Sequence, residues 1–167
     1  ENIKSTMMGE IYHIEADYLF GRKEKLTSGW RADADVYSII YGAAVHMVDL
    51  TMWLIGKKPL RVQALGNRIT TAGTKQKNND FAVMLFEFED QMSIKISAHG
   101  GCVHPHFHTL KVFGTNSSFI HESTGTVWLH FGSNLNAPGN LQPDFGAPGL
   151  LFGGSKTLTS YKKHRKS

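Results

Sequence analysis

The chain has 167 residues, with 18 Lys and Arg against 14 Asp and Glu, a formal net charge of +4. Lys162, Lys163, Arg165 and Lys166 crowd the terminal "YKKHRKS"; without them the body is near neutral and carries no basic stripe interleaved with aromatics, which argues against nucleic acid as a partner. The single cysteine, Cys102, excludes a disulfide framework and fits a reducing, cytoplasmic setting, and no segment approaches the roughly 20 apolar residues of a membrane span.

The opening "ENIKSTMMGE" has neither the basic start nor the apolar run of a signal peptide, and it lacks a leading Met. It reads as the beginning of a fragment of something larger. Ile3 to Met8 are expected to close a helix, with Gly9 at its C-cap. "EIYHIEADYLF" then alternates: Tyr12, Ile14, Ala16, Tyr18 and Phe20 on one face, His13, Glu15 and Asp17 on the other. A period of two predicts a strand with one polar side. "GRKEKLTSGWRADADV" reads as a polar loop over a site.

From Tyr37 to Ile55 the period becomes helical, with Ile40, Ala43, Ala44, Met47, Leu50, Leu54 and Ile55 forming an apolar stripe that Gly56 and "KKP" stop. The helix is expected to start near Ala43, with Gly42 at its threshold. Six β-rich runs follow: "RVQALGNRI", "DFAVMLFEFE", "MSIKISAH", "FHTLKVFG", "SSFIHES" and "TVWLHF". "TTAGTKQKNN" reads as a long polar hairpin loop between the first two.

Strand, helix, then a run of strands predicts an α+β domain: a mostly antiparallel open sheet with helices packed on one face. No "GxGxxG" follows a strand and no "GxxxxGK" occurs, so no Rossmann domain is expected and no cofactor-binding residue is assigned to this chain. Residues 1–131 form the expected domain. Residues 132–167, rich in Gly, Pro and Asn and then basic, read as an irregular tail.

Several side chains invite chemistry. His46 and Asp49 lie three apart on one helix face after a small-residue run. His46 suits a general acid or base, or a ligand to a substrate hydroxyl; the plainer alternative is a histidine bonded to backbone at a helix start. Asp49 suits orienting that region or pairing with a cation. Trp30 and Arg31 offer an aromatic wall and a guanidinium able to grip a carboxylate or phosphate, against the alternative of an exposed loop pair. His104, His106 and His108 alternate and would share one face of a strand. Their spacing of roughly 6–7 Å and the intervening Pro105 weigh against a metal, so they read as a polar patch lining a cleft or interface. No motif activates Cys102 as a nucleophile.

"GEIYHIEADYLFGR", "SGWRAD", "YGAAVHMVDLTMWLIGKKPLRVQALGN", "DFAVMLFEFED" and "GCVHPHFHTLKVFGTNSSF", in this order, resemble the C-terminal domain of the glucose–fructose oxidoreductase, inositol dehydrogenase and rhizopine-catabolism (Gfo/Idh/MocA) family, from about Gly9 to about Phe131. The resemblance implies an NAD(P)-dependent oxidoreductase acting on sugars or cyclitols. NAD or NADP would sit on an N-terminal Rossmann domain that also carries the catalytic lysine. This domain would supply the substrate side of the cleft and pack its open sheet against another subunit as a homo-oligomer.

The family's helix start reads Asp-x-Gly-x-His-x-x-Asp. His46 and Asp49 match it, whereas Gly42 stands in place of the first Asp and Ala44 in place of the Gly. The implied site is His46 as catalytic residue, with Trp30, Arg31, Asp49, His104 and His106 toward a sugar-like substrate and no metal. The chain alone is expected to be inactive and to hold no cofactor. The alternative is a non-catalytic module for sheet-mediated dimerisation or small-ligand binding.

Overall fold

Alternation in the first strand decides the architecture, because a strand with one apolar and one polar side must be covered on one side only. The computed structural model describes residues 8–121 and the backbone of 127–131. In chain order the described elements are β1 (Ile11–Leu19), α1 (Glu24–Thr27), α2 (Trp30–Asp33), a π-helical turn (Ile40–Ala44), α3 (Val45–Ile55), β2 (Arg61–Asn67), β3 (Phe81–Glu87), β4 (Ser93–His99), β5 (Phe107–Gly114), β6 (Ser117–His121) and β7 (Val127–Phe131). The strands form one sheet in the order β2-β3-β4-β1-β5-β6-β7. β1 runs parallel to β4, with Ala16 opposite Ile96, and every other pairing is antiparallel.

The expected α+β class holds: a mostly antiparallel open sheet, with its helices on one face. Ile14, Ala16 and Tyr18 of β1 and Phe20 just after it are buried with Met84, Phe86, Ile94, Ile96, Leu110 and Val112 beneath Ala43, Ala44, Met47, Leu54 and Ile55. α3 stops where expected: Gly56 takes φ 64°, a conformation costly for other residues, and its N–H donates to Met52 O at 2.8 Å.

The uncovered face is polar in the middle and apolar toward the flanks. Asp17 accepts from Lys95 Nζ at 2.8 Å, from Ser97 Oγ and from Thr109 Oγ1 at 3.1 Å. Ser97 has one proton and gives it to Asp17, so its 2.8 Å contact with His99 must be a donation from Nε2–H. Glu15 lies 3.4 Å from Lys111 Nζ and 3.7 Å from His13 Nε2. Exposed Leu65 and Leu85 flank this strip on the β2–β3 side.

Three expectations are refined. The segment after β1 is not plain loop: α1 and α2 give it two short turns of helix, because Leu26 and Ala32 are buried and pull it onto the core. The "TTAGTKQKNN" loop is polar but not loose. Thr71, Gln76 and Asp80 are buried, with Asp80 Oδ2 accepting from Thr71 N at 2.6 Å and from Thr71 Oγ1 at 2.8 Å. The helix is widened to a π turn around Gly42 before it becomes regular at Val45. The helix expected over Ile3–Met8 and the tail from 132 to 167 lie almost wholly outside the described residues.

Leu26 is fully buried and its Cδ1 is the nearest atom to the Cβ position of Gly100, so it pins the segment carrying Arg22, Trp30 and Arg31. Leu26→Ala is expected to lower the free energy of unfolding by about 2–5 kcal/mol. Urea denaturation measures this, and a loss below about 0.5 kcal/mol would mean the segment is not anchored there.

Candidate functional site

Tyr18 is the hub. It sits near the C-terminal end of β1 on the covered face, opposite His108 of β5. Its ring centroid lies 4.2 Å from that of His108, 5.4 Å from His106 and 6.0 Å from His46, the last stacked at 28°. His106 and His108 are themselves 5.2 Å apart, and Phe20 packs edge-on against His106 at 5.6 Å. β1, the approach to β5 and the start of α3 therefore deliver three imidazoles to one phenol.

A 290 Å³ cleft opens beside this cluster, lined by Met47, Leu50, His106, His108, Thr109 and His121 among others. That is near the lower end of the range for small-ligand sites, and its apolar walls with a few polar groups have the expected make-up. His121 reaches it because Leu110 of β5 pairs with His121 of β6.

Burial pushes the imidazoles of His106, His108 and His121 below the ordinary histidine value; Arg22 and Lys25 add to this for His106, and His106, His46 and His121 for His108. Burial, together with the nearby Tyr37, also raises the Tyr18 phenol, against a smaller opposing pull from Arg22. At neutral pH the imidazoles of His106, His108 and His121 and the Tyr18 phenol are thus favoured in their neutral forms, suited to hydrogen-bonding hydroxyls. His106 Nδ1 is enclosed with no hydrogen-bond partner. A proton there would be buried unpaired, which favours the tautomer with its proton on Nε2.

Of the residues expected at the site, His46 and His106 meet in this cluster. His104 does not: it precedes β5, and its Nδ1 donates to Pro105 O at 2.7 Å. The expected three-histidine strand face does not form: the strand begins only at Phe107, so His108 alone lies on it and His106 joins the cluster from the segment just before. Among the described residues no group of three or more His, Cys, Asp or Glu is placed to hold a metal. Asp49 is exposed one turn beyond His46.

Trp30 and Arg31 form a separate stack. The Arg31 guanidinium lies 4.5 Å from the Trp30 ring, and its Nε donates to Tyr37 Oη at 3.2 Å. Tyr37 is held from behind: its carbonyl accepts from Gln76 Nε2 at 2.9 Å and from Asn78 Nδ2 at 3.2 Å. Its hydroxyl fills the space at Gly42, where an added Cβ would come within 1.9 Å of Tyr37 Oη. No other side chain fits that position while Tyr37 stays.

A sequence profile of the GFO/IDH/MocA C-terminal domain matches residues 1–120. The chain belongs to the Gfo/Idh/MocA family. Solved structures share the fold of this Gfo/Idh/MocA domain. An inositol dehydrogenase homolog complexed with NAD+ from Azotobacter vinelandii is 15% identical, covers 77% of this chain and 36% of its own, and has a TM-score of 0.63. Myo-inositol 2-dehydrogenase from Lactobacillus plantarum is 19% identical over 68% of this chain and 34% of its own, with a TM-score of 0.59. UDP-N-acetylglucosamine 3-dehydrogenase from Acidithiobacillus ferrooxidans is 19% identical over 74% and 37%, with a TM-score of 0.57. The chain thus spans little more than a third of the length of these structures. No curated protein matches it by sequence.

Sequence reasoning missed Tyr18, His121 and Tyr37 as members of the site, and read His108 only as part of a polar patch with His104 and His106. Tyr18 was legible only as one more apolar-face residue of β1, and the pairings that bring the histidines to it are long-range.

His106, His108 and His121 bind their protons more weakly folded than unfolded, so acid favours the unfolded chain once pH drops below the unfolded value, about 6.5. Thermal melting is expected to show stability full above that value and falling as pH is lowered toward about 5, with a shallower fall in His108→Gln. Imidazole proton NMR provides the direct check. A His108 midpoint at or above about 6.5 would contradict the assignment.

Proposed function

We propose that this chain is the C-terminal substrate-binding and oligomerisation domain, over residues 1–131, of an NAD(P)-dependent sugar or cyclitol oxidoreductase. The observation that carries the reading is the gathering of His46, His106 and His108 around Tyr18 beside a cleft, on the covered face of a sheet of this family. His46 stands in the family's histidine position. A hydroxyl placed beside it can pass a proton to the imidazole as it is oxidised, or receive one on reduction. His106 and His108 supply further hydrogen bonds from the β5 side.

The residues described here do not fit a nicotinamide dinucleotide. β1 and β4 are parallel, but no glycine-rich strand-to-helix turn links them to cradle a pyrophosphate. The cofactor would belong to the Rossmann part of the parent enzyme. Titration of the chain with NADH, followed by fluorescence, is expected to give no saturable binding. Titration with myo-inositol and D-glucose is expected to move the imidazole signals of His46, His106 and His108. A response confined to histidines outside the cluster, such as His13 or His99, would overturn the placement of the site.

Oligomerisation through the open face is supported by its composition. Its central charges are already satisfied within the protomer, so covering them leaves no orphaned ion. Burial tends to raise Asp17, but bonds from Lys95 and Ser97, the Lys95 charge and the Thr109 hydroxyl outweigh it and hold it below the usual carboxylate value. The exposed Leu65 and Leu85 offer apolar contact beside that strip. Sedimentation at tens of micromolar is expected to show a dimer or larger assembly, weakened by Leu85→Glu. A monomer throughout would favour the simpler reading of a small-ligand module that acts alone.

A further inference from the structure

The candidate cleft has two unlike walls. Met47 and Leu50, three apart on α3 and so on one side of it, form the helical wall. The other wall comes from the sheet. His108 and Leu110 share one face of β5, His106 stands just before that strand, and the pairing of Leu110 with His121 brings the β6 imidazole alongside. Thr109 also borders the cleft, but its hydroxyl donates to Asp17 on the open face of the sheet. The side-chain polarity offered to a ligand therefore rests on imidazoles, and these lie on the sheet side.

Among the described residues no Asp, Glu, Lys or Arg lines this cleft. Asp49, next to Leu50 along α3, is exposed. Arg22, Lys23, Glu24 and Lys25, in the segment after β1, are exposed as well, and Glu24 sets an opposite charge among the three cations. An ionised group entering the cleft would thus give up water without meeting a counter-charge in the lining. A ring with hydroxyls on every side meets a milder form of the same difficulty: those turned to Met47 and Leu50 lose their water and gain no partner. A ring with hydroxyls along one edge and hydrocarbon along the other avoids both costs. Its hydroxyls reach the imidazoles, where the enclosed Nδ1 of His106 leaves Nε2–H as that ring's donor, and its hydrocarbon edge takes the apolar helical wall out of water. The volume of 290 Å³ suits a single sugar ring.

We propose that the cleft selects an uncharged sugar with one hydrocarbon edge, as in a 6-deoxy sugar, over the fully hydroxylated sugar and over its acidic and amino derivatives. This rests on the reading of the cleft as the sugar side of an oxidoreductase. Leu50, half-buried at the cleft, is the residue that sets the preference from the helical side.

The test is titration of the chain with four sugars that differ only at C6: 6-deoxy-D-glucose, D-glucose, D-glucuronate and 6-amino-6-deoxy-D-glucose. The imidazole signals of His46, His106 and His108 are followed by NMR at about pH 7, where the acid and the amine are both charged. The 6-deoxy sugar is expected to bind about fourfold tighter than glucose, the worth of one buried CH₂-sized group, and each charged sugar about tenfold weaker or more. Leu50→Lys, which places a cation in the helical wall, is expected to raise glucuronate to at least the affinity of glucose, a gain that misfolding does not mimic. A charged sugar that binds the unaltered chain as tightly as glucose, a 6-deoxy sugar no tighter than glucose, or no gain for glucuronate in Leu50→Lys would each overturn this inference and leave the sugar site standing. If no sugar moves the cluster signals, the inference and the site fall together.

Discussion

The candidate site depends on one constraint: β1 lies at the centre of the sheet with two unlike faces. Parallel to β4 and antiparallel to β5, it cannot slip by one residue without sending Ile14, Ala16 and Tyr18 to the open side and Glu15 and Asp17 into the core. The buried triad therefore fixes register, and register fixes which β5 residue lies opposite Tyr18. That residue is His108. The same pairing that makes the core makes the cluster.

The second half of the site is held by polar bonds rather than by apolar burial. Tyr37 is gripped through its carbonyl by Gln76 and Asn78, and Ile39 N donates to Asn79 O at 3.0 Å. The β2–β3 loop thus reaches across to set the start of the π turn. Buried Asp80 in turn fixes Thr71 and the shape of that loop. A wider helical turn at Ile40–Ala44 then places Gly42 against the phenol; such interruptions cluster at functional positions. Residues far apart in sequence thereby set the geometry around His46 without touching it.

The strand pattern was legible in the sequence because period-two alternation and turn residues are local signals. The runs at 81–87, 93–99 and 107–114 emerge where they were expected, and so does the Gly56 stop. His46 and His106 were legible as candidates by motif and by residue type. The three-histidine face was not: Pro105 delays the strand to Phe107, which leaves His104 turned to its own neighbour. Nor did any local signal connect Tyr37 with Gly42. That contact depends on a loop some forty residues downstream, and only tertiary structure reveals that the Tyr37 hydroxyl fills the space at Gly42.

The most direct test of the central claim is a crystal structure of the chain soaked with a monosaccharide. The account predicts the sugar ring in the cleft beside Met47 and Leu50, with hydroxyls within hydrogen-bonding distance of His46 and of His106 or His108. A sugar seated instead on the open face of the sheet, or a Tyr18 ring remote from His108, would contradict it.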